Sequence, residues 1–271
     1  MKRKGDENVL DFISLFDFKG YNSTFMNKTI FILTLTLSLS SVSLSQSVPA
    51  TQSSVVPGQK AVAASDNASI ELAKLVLAAH GGDKLKSMKS IVMKGSADVN
   101  VQGQSLPGVF SMAISGDKYY FEINAVVQKL KQVYDGQQTY SSMQPFSLPP
   151  MTSLGFPLLP RIGDAGYVIS GLTDKKKKGF RITTPDGFYT DFFVDDKTKQ
   201  IKGYESSYDL GGRIVTTSVE IDEFQTVEGV VVPKKYSQRF DLGQLTAYAN
   251  FKTKDILINS PIDDSAFALP K

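Results

Sequence analysis

His80 is the only histidine of the chain and lies in the stretch AAHGGDKLKSMKSI, just ahead of Gly81 and Gly82. With no cysteine and no tryptophan, thiolate nucleophiles, disulfides and cysteine-based metal sites are excluded at once. A Ser-His-acid triad would need His80 as its base, yet no G-x-S-x-G elbow occurs. A phosphate cradle needs glycines between a strand and a helix N-terminus; here they follow a helix, and no G-x-x-x-x-G-K-[ST] or G-x-G-x-x-G pattern exists. One histidine cannot build a zinc set, and Asp195-Asp196, Asp222-Glu223 and Asp263-Asp264 lack the spaced ligands of a calcium loop. Glycoside hydrolysis needs two carboxylates across a sugar site, usually with stacking aromatics such as Trp, which is absent. His80 is left with a helix-end role, as an imidazolium favoured by the carbonyl end of the dipole, with Gly81-Gly82 as C-cap. An exported hydrolase centred on His80 is the chemical alternative.

Lys175 to Lys178 form the one dense charge run, between Asp174 and Gly179 at a hairpin tip. It is either a solubilising turn or a contact for anionic head groups or an acidic partner. Elsewhere acids and bases alternate, and a net charge of +3 gives no concentrated field for nucleic acid, which is excluded as a partner.

The elements that must position these residues follow from periodicity. Hydrophobic residues make up 41% of 271, enough to bury a core. Residues 1–25 fit no export architecture and are expected to be an over-extended N-terminus. Residues 26–45, with Met26-Asn27-Lys28, the run TIFILTLTLSLSSVSL and Ser43-Leu44-Ser45, have the layout of a cleaved signal peptide. Residues 46–64 are a Ser-, Gln- and Pro-rich flexible leader, and 65–271 are expected to be a single β domain, exported as a monomer. Leu72, Leu75, Val76 and Ala79 recur at helical spacing behind Asp66, Asn67 and Ser69 as candidate N-caps, and a short turn follows from Asp83 to Met88.

After Ser90 the period becomes two: Ala97, Val99 and Val101; Phe110, Met112 and Ile114; Tyr119, Phe121, Ile123 and Ala125; then six more segments from Phe180 to Phe251. About ten or eleven antiparallel strands with so little helix predict a mainly β fold, an incomplete and strongly curved barrel with one or two helices packed in its open side. One segment breaks the rhythm. PFSLPPMTSLGFPLLP (145–160) places Phe146, Leu148, Met151, Leu154, Phe156, Leu158 and Leu159 among five prolines, which forbid an interior strand or regular helix. Such side chains gain about 1.5–3 kcal/mol each on burial, so the segment must cover something apolar, either as a plug completing the core or as a lid over a ligand cavity.

The order of these features resembles bacterial LolA-like proteins, the outer-membrane lipoprotein-sorting carrier superfamily. The likeness is carried by the helix ending AHGG, DKLKSMKSIVMKG, VYDGQQTYSS, DDKTKQIKGYE, EFQTVEGVVVPKKY and NSPIDDSAFALPK, and runs from about Ile70 to Pro270. Tyr140 departs from the Trp of many relatives, and no basic residue matches the one that the carriers use on their cargo. The resemblance implies an apolar cavity that shelters lipid or lipoprotein acyl chains in the periplasm, without cofactor or catalysis, or in regulatory members a sensor that recognises a protein partner in the envelope. Candidate wall and lid residues are Phe110, Met112, Ile114, Phe121, Ile123 and the loop residues Phe146, Leu148, Met151, Leu154, Phe156, Leu158 and Leu159.

Overall fold

The computed structural model describes residues 66–101, 103–125, 129–142, 151–209, 214–241 and 246–270. They fall within one compact unit, Gly58–Lys271. The segments expected as N-terminal extension, signal peptide and leader lie outside the described residues, as do Phe146 and Leu148.

Helix α1 (Asn67–Ala79) starts at Asp66, whose Oδ1 accepts the Ser69 N–H at 2.7 Å, and ends at His80. The two glycines that follow have φ of 115° and 55°. Gly81 is required twice over, because a Cβ there would also stand 2.6 Å from the Gly229 carbonyl oxygen. A one-turn helix, α2 (Asp83–Lys86), buries Leu85 completely. The buried stripe of α1 is Ser69, Ala73 and Val76, continued by His80. Leu75, expected on that stripe, is instead 51% exposed. The helix packs on small side chains, so its rotation is set by close approach to β6 and β7 rather than by its largest apolar residues.

The sheet has twelve strands among the described residues: β1 (Ser90–Val101), β2 (Gln104–Ser115), β3 (Lys118–Ala125), β4 (Lys129–Tyr134), β5 (Thr139–Ser141), β6 (Val168–Gly171), β7 (Gly179–Thr183), β8 (Tyr189–Val194), β9 (Ile201–Asp209), β10 (Ile214–Val227), β11 (Val230–Asp241) and β12 (Thr246–Ile258). The order is β5-β4-β3-β2-β1-β12-β11-β10-β9-β8-β7-β6, with every pair antiparallel and β5 and β6 at the free edges. This is the expected mainly β, unclosed sheet, slightly larger than its alternation suggested. β4 escapes the pattern because Leu130 and Gln132 share one face while Val133 is buried on the other.

Curvature follows from two contacts. A flat sheet would put β3 and β9 about 29 Å apart at the usual strand spacing, yet the Met151–Ser153 turn touches β3 while Gly155, two residues on, packs against the Tyr204 ring on β9. The short 3-10 helix Phe156–Arg161 likewise reaches both sides, with Gly155 N–H donating to Thr190 Oγ1 on β8 and Arg161 pairing with Asp117 in the β2–β3 turn. On the convex side the C-terminal segment lays Ile262, Phe267 and Leu269 over Val92, Ala113, Tyr120, Val133 and Tyr140.

Candidate functional site

Strand register sets the concave face. Phe110 lies opposite Ile123, Met112 opposite Phe121 and Ile114 opposite Tyr119, so the five wall residues expected from β2 and β3 share one face. Across β1 and β12 that face continues through Met93, Gly95, Ala97, Ala249 and Phe251. Phe110 and Phe121 meet Phe251 edge-on at centroid distances of 5.1 and 6.1 Å, and Tyr236 stacks on Phe251 at 4.8 Å. The opposite face carries Val109, 60% exposed, and the exposed Lys252 and Arg239.

The described part of the proline-rich segment behaves as filler. Met151 opens the 3-10 turn Met151–Ser153, which contacts β3. Leu154 is 4% exposed, Leu158 and Leu159 are fully buried, and Phe156 is half-buried against the His80 ring. Gly155 allows the close approach: a Cβ there would stand 2.5 Å from the Tyr204 ring. Of the two readings of this segment, Leu154, Leu158 and Leu159 fit the plug.

Its coverage is unequal. Beneath it, Phe180, Ile182, Phe192 and Thr190 on β7 and β8 are completely buried. Across the barrel, Phe110 and Ile123 are buried, but Met112, Ile114, Phe121 and Leu130 keep intermediate exposure on the same concave face. The apolar wall is thus closed over one flank and partly open over the other.

The interior is also more polar than the sequence suggested. Thr190 and Ser206 share a hydrogen bond of 2.7 Å, and Gln238 Nε2 donates to Thr217 Oγ1 at 3.0 Å. Burial raises the Tyr204 hydroxyl to about 12 and pushes Tyr119 well above its ordinary value, with Tyr236 and Tyr204 adding to the latter. Gln132 Nε2 and Thr253 Oγ1 are buried without hydrogen-bond partners among the described residues. These residues were missed because a polar side chain at an inward position reads as a break in alternation rather than as lining.

His80 differs from its expected role. It is fully buried, not a solvated imidazolium, and burial lowers its pKa. The pairing fixes a neutral tautomer: Nδ1–H donates to the Val231 carbonyl at 2.9 Å, while Nε2 accepts the Ile201 N–H at 3.1 Å. The His80 carbonyl accepts the Val231 N–H at 3.1 Å as well. Both ring nitrogens are occupied by backbone, which leaves no lone pair for a base. The ring is edge-on to Phe156 and Phe224, at 5.8 and 5.2 Å.

No family model matches the sequence, and no curated protein matches it. Solved structures do. A DUF1329 family protein from Desulfovibrio piger is 11% identical with a TM-score of 0.42, the match covering 76% of this chain and 98% of that one. A putative outer membrane lipoprotein-sorting protein domain from Vibrio parahaemolyticus is 10% identical with a TM-score of 0.44, covering 74% and 96%. A LolA superfamily protein from Nitrosomonas europaea is 12% identical with a TM-score of 0.43, covering 72% and 97%.

Proposed function

We propose that the chain is a non-enzymatic carrier of the cell envelope that shelters the acyl part of a lipid or lipoprotein against its concave face. The observation that carries this reading is the uneven coverage of one apolar wall, closed by the chain's own Leu154, Leu158 and Leu159 over β7–β8 but partly open at Met112, Ile114, Phe121 and Leu130. Hydrocarbon laid on the open flank would finish the burial that the protein leaves incomplete, at about 0.8 kcal/mol per methylene. Gln132 and Thr253 give an amphiphile's polar atoms something to meet inside. The occupied ring of His80 supports a binding role over a hydrolytic one. Periplasmic residence and a part in lipoprotein sorting belong to the same proposal, and the sequence of residues 26–45 supports export.

Native mass spectrometry of protein purified from a periplasmic fraction tests it. A retained amphiphile, and loss of fluorescent fatty-acid binding on Phe121→Arg, are the expected results. A protein that is empty, binds no fatty acid and instead captures a membrane-protein domain tightly would replace the carrier by a sensor.

A further inference from the structure

The lysines of the charge run gather at the end of the sheet away from the β1–β2, β3–β4, β9–β10 and β11–β12 connections. Lys175, Lys176, Lys177 and Lys178 are all exposed in the β6–β7 hairpin. The neighbouring β8–β9 turn and the start of β9 add Lys197, Lys199 and Lys202. Backbone and side chains hold the two turns together: Val194 N–H donates to the Lys178 carbonyl at 3.0 Å, Lys178 pairs with Asp196, and Lys177 Nζ lies 4.7 Å from the centre of the Phe193 ring.

Against these seven lysines stand Asp66, Asp174, Asp195 and Asp196, leaving +3, which equals the formal charge of the whole chain, so the remaining sequence is balanced. Three of the four carboxylates have local tasks. Asp66 caps α1, Asp174 accepts the Lys176 N–H, and Asp195 accepts the N–H groups of Lys197 and Thr198. Beside the hairpin is a wide-mouthed depression of about 340 Å³, with Leu72 and Leu172 in its lining and Lys175–Lys178 around it. One helical turn beyond Leu72, on the same side of α1, is Leu75 with its 51% exposure.

We propose that this end of the molecule docks on an anionic lipid bilayer, with the lysines on lipid phosphates and the Leu72–Leu75 side of α1 against the head-group boundary. Lysines are flexible point charges suited to laterally mobile phosphates, whereas a fixed acidic epitope favours the planar fork of arginine, which this cluster lacks. Exposed leucine beside the cations adds the apolar contact that interfacial binding uses. The docking does not depend on the carrier reading; it directs the opposite end of the barrel away from the bilayer.

The test is co-sedimentation of the full chain with phosphatidylcholine vesicles, with and without an equal part of phosphatidylglycerol. The N-terminal segment, basic at Lys2, Arg3 and Lys4 beside its apolar run, is common to every variant, so the readout is the change between variants on each kind of vesicle. Anionic vesicles should bind at least about 100-fold more tightly at low salt, with the difference lost at high salt. Neutralising Lys175, Lys176 and Lys177 together to Gln should weaken anionic binding roughly 100-fold, at about 1 kcal/mol per lysine. The same change at Lys94, Lys252 and Lys254 should matter less than about threefold, since those lysines lie outside the cluster. Leu75→Ser should weaken binding several-fold without changing its salt dependence. Equal binding to both vesicles, an equal loss from the Lys94-Lys252-Lys254 variant, or capture of an acidic protein with vesicles ignored would each overturn the proposal. Fatty-acid binding measured on the same lysine variant should be unchanged, which keeps this outcome separate from failure of the carrier reading.

Discussion

The two flanks of the barrel use the same strand alternation and are covered unequally. From β6 to β9 the concave side is sealed by α1 and the Met151–Arg161 segment, so Phe180, Ile182 and Phe192 have no exposure. From β1 to β5 the chain's own cover lies on the convex side, where Phe267 at 1% exposure packs over Val92, Ala113 and Val133, while Met112 and Phe121 opposite remain half-open. The second flank can therefore leave Met112, Ile114 and Phe121 partly uncovered and still be anchored, because the C-terminal segment buries its other side while Phe110 and Ile123 are buried on this one.

Mutations can break or sharpen that contrast. Phe267→Ala should cost about 3–5 kcal/mol by urea denaturation, and Leu159→Ala about 2–5 kcal/mol, each reporting the cover of its own flank. If Leu159→Ala cost under about 1 kcal/mol, the segment would be a lid and the two flanks would not differ. His80→Ala removes partners from the buried Val231 carbonyl and Ile201 N–H, at about 1–3 kcal/mol each. Its pH signature has a definite sign. The native pKa is lowered, so below about 6.5 the unfolded chain takes up the proton first and stability falls until the native value is passed. Above that range the ring is neutral in both states and contributes fully; His80→Ala should flatten this acid limb. Phe121→Ala on the open flank should cost only about 1 kcal/mol of stability, in keeping with partial burial, yet lower fatty-acid affinity tenfold or more. Smallest of all, Arg161→Ala, which loses the exposed pair with Asp117, should change stability by about 0.2–1 kcal/mol.

Much of the scaffold was legible in sequence. Alternation placed Phe110, Met112, Ile114, Phe121 and Ile123 on one face because their neighbours Val109, Ser111, Glu122 and Asn124 are exposed or merely half-buried on the other. It failed where apolar residues stand on both faces: Val133 lies under the C-terminal segment while Leu130 faces inward, and the period of two vanishes. His80 was read as a helix end correctly, but its charge state was not, since the Val231 and Ile201 backbone groups come from 151 and 121 positions away. Leu75 misled because helix rotation is decided by how closely α1 can approach β6, a tertiary matter. The tyrosines and orphan polar atoms inside had no signature of their own.

The first strand of the sheet pairs with the last: Ile91 lies opposite Ile258. Chain entropy therefore opposes this seam until nearly every residue is present, and contacts so distant in sequence make for slow assembly. A nascent chain cannot lock prematurely, because its N-terminal helix waits for Ile201 and Val231 and its first strand waits for β12. Such late closure leaves the seam between β1 and β12 unpaired until synthesis is almost done.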